Sequence, residues 1–215
     1  MTVEQEIKMV VTGTQQLDFQ ILRQLSEIQI QHHAIHHVSN TYYDTPDWQL
    51  RRQQVGLRMR QYDHQWYQTV KTSGTATAGL HQRHEWEYPL SGPHWDYETL
   101  KQTPLRTLME QEPQLTHLIP LFTTDFVRES YLLETVDGTT LELAYDRGKV
   151  TTSQASQPIH EIELELVAGH VTAMTRLARQ LASRFPLRAD NGSKAQMGYR
   201  LLESSEQPDN KRSEH

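Results

Sequence analysis

Three separated regions of this chain alternate charged with apolar residues, and this alternation limits what the chain can fold into more than any other feature. Near the start, Glu4-Gln5-Glu6-Ile7-Lys8 carries charge at every second position. In the middle, Leu57-Arg58-Met59-Arg60 and Arg83-His84-Glu85-Trp86-Glu87 do the same, and late in the chain so does Glu161-Ile162-Glu163-Leu164-Glu165-Leu166. A strand sends successive side chains to opposite faces. Each stretch therefore reads as a strand with one charged face and one mostly apolar face. A half-buried open sheet accounts for one or two such strands, with the charges in water. It does not account for acidic-faced strands beside basic-faced ones. A closed barrel with a charged lumen does, its apolar face turned outward beneath helices.

Composition agrees with a partly polar interior. At 215 residues the chain is one large domain or two small ones, yet only 36% of it is hydrophobic. It has no cysteine, which excludes disulfides and thiolate metal sites and fits a reducing compartment. No apolar run approaches the roughly 18 residues of a membrane-spanning helix, and no basic segment followed by an apolar stretch opens the chain. The expected location is cytoplasmic. A net charge of −6 argues against a basic nucleic-acid-binding surface. The charge is uneven, however: residues 51–71 hold Arg51, Arg52, Arg58, Arg60 and Lys71 against Asp63 alone.

Along the chain, residues 2–11 read as a strand, and Leu17, Ile21, Leu22, Leu25 and Ile28 predict a helix over 15–28. Residues 35–43 read as extended. Strands follow at 55–62 and 65–72, then a small-residue loop over 72–79 and a strand at 81–90. Short helices are expected at 104–111 and 113–118. Strands at 121–134 and 139–146 flank the hairpin turn Val136-Asp137-Gly138, with further strands at 147–152 and 158–167. An amphipathic helix covers 170–185 and a short one 193–203. The result is an α+β chain of about eight mostly hairpin-linked strands. Residues 1–203 form one domain, and the polar residues 204–215 form a disordered tail.

Two constellations carry chemistry. Glu4 and Glu6 share one strand face, and Glu161, Glu163 and Glu165 share another. Acidic ladders on neighbouring strands repel unless a cation lies between them, and carboxylates without cysteine suit Mg²⁺ or Mn²⁺. The second set is cationic: Lys8, Arg58, Arg60, Lys71, Arg83, Arg128 and Lys194. Arginine forks match phosphate oxygens and lysine supplies a compact charge. On an empty lumen these cations are expected to repel one another, whereas Arg51 and Arg52 lie outside the alternation and take no part. The run His32-His33-Ala34-Ile35-His36-His37 reads as a polar connector, because no HExxH order or cysteine supports zinc.

Taken together and in order, these motifs resemble the CYTH superfamily, the triphosphate tunnel metalloenzymes. Glu4-x-Glu6-x-Lys8 matches the opening signature. Tyr42-Tyr43-Asp44-Thr45, Gly56-Leu57-Arg58-Met59-Arg60, Thr69-Val70-Lys71 and Arg83-x-Glu85-x-Glu87 match the middle motifs. Arg128, Asp146-Arg147-Gly148, Glu161-Ile162-Glu163-x-Glu165 and Ser193-Lys194-Ala195 match the later ones. Within the superfamily the chain is most similar to bacterial inorganic triphosphatases, which often carry a second, histidine-rich helical domain; no such domain is expected here. Gln5 stands where an apolar outward residue is usual.

The resemblance implies a closed eight-stranded antiparallel barrel whose tunnel binds a triphosphate. Glu4, Glu6, Glu161, Glu163 and Glu165 would hold Mg²⁺ or Mn²⁺, with Asp146 beside it. The basic residues would grip phosphate, and Lys8 and Lys194 would face the attacking or leaving end. The implied reaction is hydrolysis of tripolyphosphate to pyrophosphate and phosphate. Class IV adenylate cyclases and thiamine triphosphatases are the competing activities of the same superfamily. A non-catalytic polyphosphate- or nucleotide-binding module is the competitor of another class.

Overall fold

The computed structural model describes residues 2–111 and 118–206. Among these residues the period-two alternation becomes ten strands in one antiparallel sheet. They are β1 (Thr2–Val11), β2 (Ile28–Asp44), β3 (Val55–Tyr62), β4 (Gln65–Thr72), β5 (Thr75–Thr77), β6 (Leu80–Leu90), β7 (Ile119–Thr135), β8 (Thr140–Thr151), β9 (Ser156–Ala168) and β10 (Leu187–Ala189). The order β1-β9-β8-β7-β2-β3-β4-β6 closes on itself where β6 pairs with β1, so eight strands make a barrel. β5 and β10 are short additions on β6 and β1.

Charge inside requires apolar residues outside, and these must be covered. α4 (Val171–Ala182) buries Ala173, Met174, Leu177, Ala178 and Leu181 against Ile7, Met9, Leu141, Leu143, Ile162 and Leu164 on the outer face of β1, β8 and β9. Each large side chain so buried contributes about 1.5–3 kcal/mol. Three short helices, α1 (Gln49–Arg52), α2 (Tyr97–Leu100) and α3 (Leu105–Gln111), set Leu50, Leu100, Leu105 and Leu108 over Val55, Leu57 and Val70 of β3 and β4. α5 (Lys194–Glu206) does something different. Its Met197 and Tyr199 pack with Val38, Tyr42, Phe122, Phe126, Val150 and Ile159. Tyr42, Phe126 and Tyr199 also line the interior cavity, so α5 closes one end of the barrel.

Several expectations need correction. The helix expected over 15–28 is only a 3-10 turn at Phe19–Gln24, capped by the Asp18 side chain. Leu25 is already extended, and Ile28 begins a ladder with Thr135 of β7. That 17-residue strand therefore starts earlier than 35, and the histidine run lies within it and not in a connector. The strand expected at 147–152 is the continuation of β8 through Thr151. Part of the 72–79 loop pairs with β6 as β5. α2 was not foreseen; Asp96 caps it by accepting from the backbone of Glu98 and Thr99. α5 runs on through Glu206. The helix expected at 113–118 falls mostly outside the described residues, as does the tail from 207.

Gly148 shows how tightly the barrel curls. A Cβ there would lie 2.1 Å from the Asp125 carbonyl oxygen and 2.5 Å from the Phe126 Cα. Both are backbone or backbone-linked atoms that cannot rotate away. Gly148→Ala should destabilise the fold by about 1–3 kcal/mol, the usual cost of overpacking. Thermal unfolding should show a loss of several degrees; an unchanged midpoint would mean that β7 and β8 can separate freely here.

Candidate active site

Strand parity sets which side chains enter the lumen. β1 contributes Glu4, Glu6 and Lys8; β9 contributes Glu161, Glu163 and Glu165; β8 contributes Glu142 and Asp146. Register then places Glu6 opposite Glu165 and Lys8 opposite Glu163, Asp146 opposite Glu161, Arg128 opposite Asp146 and Arg83 opposite Glu4. Arg58 and Arg60 enter from β3, Lys71 from β4, and Lys194 from the first residue of α5. A cavity of about 750 Å³ is walled by Glu4, Glu6, Lys8, Arg58, Arg60, Lys71, Arg83, Arg128, Glu163, Glu165 and Lys194. Of the residues expected at the site, Asp146 and Glu161 are absent from that wall. Both are buried behind it.

Carboxylates stand between the cations and offset the mutual repulsion expected of them, although Arg58 and Arg128 still act on Arg60, and Arg128 on Lys194. Lys71 lies 3.0 Å from both Glu4 and Glu85. Arg83 lies 2.7 Å from both Glu4 and Glu6. Arg60 pairs with Glu87 at 3.4 Å, and Arg58 lies 3.5 Å from Glu85. Arg128 grips Asp146 with two nitrogens at 2.8 Å and Glu163 at 2.7 Å. Lys194 reaches Asp146 at 2.7 Å and Glu163 at 2.8 Å, and also touches Glu161. Lys8 holds the other Glu161 oxygen at 2.9 Å and donates to the Gly192 carbonyl at 2.7 Å. Neither Glu161 oxygen has an aligned hydrogen bond, so charge attraction to two ammonium groups holds it. Arg58 keeps its buried Nε without a partner.

These environments sort the carboxylates into two kinds. Burial alone would raise Asp146 and Glu163, but Lys194 and Arg128 outweigh it and hold both below their ordinary range. Lys194 in turn is held firmly charged, burial being outweighed by Asp146, Glu161 and Glu163. Glu4 is likewise brought down to about 2, since Lys71 and Arg83 outweigh its burial. Glu6 and Glu165 behave oppositely. Burial pushes both up to about 7, reinforced by Glu163 and Glu4 at Glu6 and by Glu4 and Glu142 at Glu165.

That contrast bears on where a hard cation could be held. Oxygens of Asp146, Glu161 and Glu163 all lie within 4.8 Å of one another. The ammonium of Lys194 already sits among these three carboxylates, so a divalent ion would have to displace it. Glu6 and Glu165 are cross-strand neighbours at which burial and adjacent carboxylates outweigh the nearby cations, even though Glu6 is paired with Arg83, and an oxygen-only donor set suits a hard divalent cation.

The sequence reading overlooked several contributors. Glu85 and Glu87 are counterions for Arg58, Arg60 and Lys71, and their alternation with Arg83 was the available signal. Asn40 accepts from Arg60 Nε at 2.9 Å. His81, buried in the wall, hydrogen-bonds through Nε2 to the Asp190 carbonyl at 2.9 Å. Arg51, set aside on parity, also borders the cavity; its guanidinium stacks on Trp48 and Tyr199 and pairs with Glu203 at 2.6 Å. Arg52 pairs with exposed Asp47. Three of the four histidines of the run each find a separate acid, His33 with Glu129, His36 with Asp63 and His37 with Asp125. No metal-sized group forms from them among the described residues.

A barrel whose lumen mixes acidic and basic strands defines a recognisable class of protein. The family description "CYTH domain" matches residues 3–199, and the chain belongs to that family. An inorganic triphosphatase from Haemophilus influenzae is 37% identical over 199 residues, covering 92% of this chain and 55% of the relative. The chain thus spans about half the length of that curated relative. Among solved structures, a Hippeastrum protein named for adenylyl cyclase and described as having a dominant triphosphatase activity aligns with a TM-score of 0.57. It is 18% identical, covering 96% of this chain and 98% of that one. A Pyrococcus horikoshii protein aligns at 0.54 with 17% identity, covering 93% and 99%. The likeness to these two is one of fold. No helix among the described residues is long and apolar enough to cross a membrane.

The two kinds of carboxylate predict an unusual pH profile for the metal-free protein. Glu6 and Glu165 rise from 4.5 to about 7 on folding. Between those values the folded state keeps protons that the unfolded chain has released, so their contribution to stability falls as pH rises and levels off above about 7. Glu4 works in the other direction: its contribution is full above 4.5 and is lost as pH falls towards 2. Thermal unfolding in EDTA should therefore give a lower midpoint at pH 7.5 than at pH 5. Glu6→Gln with Glu165→Gln should flatten that decline. An equal decline in the double variant would refute the assignment.

Proposed function

We propose that this chain hydrolyses inorganic tripolyphosphate to pyrophosphate and phosphate within the barrel, with Mg²⁺ or Mn²⁺ as cofactor. The observation that carries this reading is the convergence of Lys8, Arg58, Arg60, Lys71, Arg83, Arg128 and Lys194 on one cavity that also presents under-neutralised carboxylates. A pure anion binder gains nothing from Glu6 and Glu165, which weigh against a non-catalytic polyphosphate- or nucleotide-binding module. Residues 1–203 act as one CYTH-like domain in this reading, and the lack of cysteine fits a cytoplasmic setting. The activity named for the Haemophilus relative and that described for the Hippeastrum protein support the reading.

The wall also bears on the choice among triphosphates. Its aromatic rings are Tyr42, Phe126 and Tyr199, all buried at the closed end. The remaining wall around Gln54, Ser73, Thr75, Gln82, Asn191 and Gln196 is polar and, among the described residues, offers no exposed ring on which a nucleobase or thiazolium could stack. This favours a purely inorganic substrate over ATP or thiamine triphosphate.

In the proposed reaction, Arg58, Arg60, Lys71 and Arg128 exchange carboxylate partners for phosphate oxygens and hold the chain extended. Glu6 and Glu165 would hold the metal, with Glu4, Glu161 and Glu163 in its surroundings. When bound, it would supply charge neutralisation at the reacting phosphoryl group and a more acidic water. Water oxygen attacks the terminal phosphorus, and the bridging P–O bond breaks towards pyrophosphate. Lys194, held cationic by Asp146, Glu161 and Glu163, is suited to stabilise the departing oxygen and not to act as a base. Lys8 holds the opposite side of Glu161.

Phosphate release should be measured from tripolyphosphate, ATP and thiamine triphosphate. Tripolyphosphate should be strongly preferred; EDTA should abolish turnover, and Mg²⁺ or Mn²⁺ should restore it. Arg60→Ala should cost roughly 10²–10³ in turnover, the scale of losing one preorganised charge donor. Glu163→Gln should cost at least about 10–100-fold. Arg52→Ala, on the exposed surface, should change little. Full turnover in EDTA, or ATP hydrolysed as fast as tripolyphosphate, would overturn the reading.

A further inference from the structure

Asp44 ends β2 and is fully buried, yet none of the reaction just described uses it. Its Oδ1 accepts from the backbone N–H of Thr45 at 2.7 Å and of Leu50 at 2.8 Å. Its Oδ2 accepts from the backbone N–H of Arg51 at 3.0 Å and from the Tyr199 hydroxyl at 2.8 Å. Three donors are local and fix the turn into α1. The fourth belongs to α5, 155 residues further on.

That fourth bond matters because of how α5 is seated. Gly198 lies against Phe122 so closely that a Cβ would come within 2.2 Å of its ring. Tyr199 sets its ring edge-on to Phe122 at 5.3 Å and beneath the Arg51 guanidinium at 4.7 Å. Lys194 precedes Gly198 by one helical turn and therefore shares its inward face. Apolar packing fixes how near α5 sits, but it is non-directional and leaves roll and slide weakly determined. A hydrogen bond to a carboxylate that is itself held by three backbone donors is directional. The Lys194 ammonium has to reach Asp146, Glu161 and Glu163 together, so a small slide of α5 would remove it from them.

We propose that the Asp44–Tyr199 hydrogen bond is a latch that positions Lys194. Asp44 and Tyr199 are then positioning residues, acting on the reaction only through α5. Their part in turnover rests on the triphosphatase reading; their part in holding Lys194 does not.

Tyr199→Phe removes the hydroxyl and keeps the ring. On tripolyphosphate with Mg²⁺, kcat should fall by up to about 10²-fold, the effect of a displacement near 1 Å. KM should stay within about twofold, because the gripping arginines sit on strands. Added to Lys194→Ala, Tyr199→Phe should cost nothing further, as expected of residues acting through one group. A second readout does not need turnover: acetylation by acetic anhydride, followed by mass spectrometry. Lys194 should be modified several-fold faster in Tyr199→Phe, while Lys8, on β1, should be modified at the wild-type rate. Wild-type kcat in the variant, unchanged labelling of Lys194, or equal acceleration at Lys8 would each overturn the proposal, leaving Tyr199 as core filling alone. Should wild-type protein fail to hydrolyse tripolyphosphate, the triphosphatase reading falls and the labelling still decides the latch.

Discussion

A carboxylate taken out of water must be paired, and Glu161, 1% exposed, is held between the ammonium groups of Lys8 and Lys194. Desolvating each of these ions costs several kcal/mol, and only close mutual attraction offsets it. The rest of the architecture follows from placing such charges inside. Lumen positions on every second residue force the intervening ones outward, where they must be apolar to fold at all. Outward apolar faces in turn require α4 and the short helices over β3 and β4. The low hydrophobic fraction of 36% belongs to a protein whose core is a shell and not a centre.

The internal carboxylates also make the lumen a prearranged site. Were Arg58, Arg60, Lys71 and Arg83 left facing one another, the barrel would be strained open. Glu85, Glu87 and Glu4 keep them apart and in place. Under the proposed function, a polyanion would enter by exchanging partners with cations that are already oriented, so little reorganisation would accompany binding. Glu6 and Glu165 are where this balance is least complete, burial and neighbouring carboxylates outweighing the nearby cations.

Much of this was legible in the sequence because a strand's period is two. The parity of Glu4, Glu6 and Lys8 against Ile7 and Met9 assigned the lumen face of β1 without further information. The same held for Glu161, Glu163 and Glu165. What parity could not supply is which charges meet across the barrel. The role of Glu85 and Glu87 as counterions depends on the register of β4 with β6. Asp44 stood only within the motif Tyr42-Tyr43-Asp44-Thr45, and its bond to Tyr199 depends on α5 folding back across the barrel end. The 15–28 helix failed because Leu17, Leu22 and Leu25 have helical spacing, yet they pack on the barrel wall as a turn once Ile28 is claimed by the β7 ladder. The histidine run was misplaced for a related reason: the strand starts seven residues sooner than its apolar pattern suggested.

Closure of the barrel by β1 has a further consequence for how the protein is made. β1 pairs with β6 on one side and with β9, some 150 residues later, on the other. At ribosomal speeds of about 5–20 residues per second, the stretch from the end of β6 to the end of β9 takes about 4–16 seconds to make. During that time one edge of the strand stands open to any other extended chain. Glu4, Glu6 and Lys8 place charge along that waiting strand, a known safeguard against edge-to-edge association. The alternation that sorts side chains between lumen and outer shell thus also puts charge on the strand that waits longest for its second neighbour.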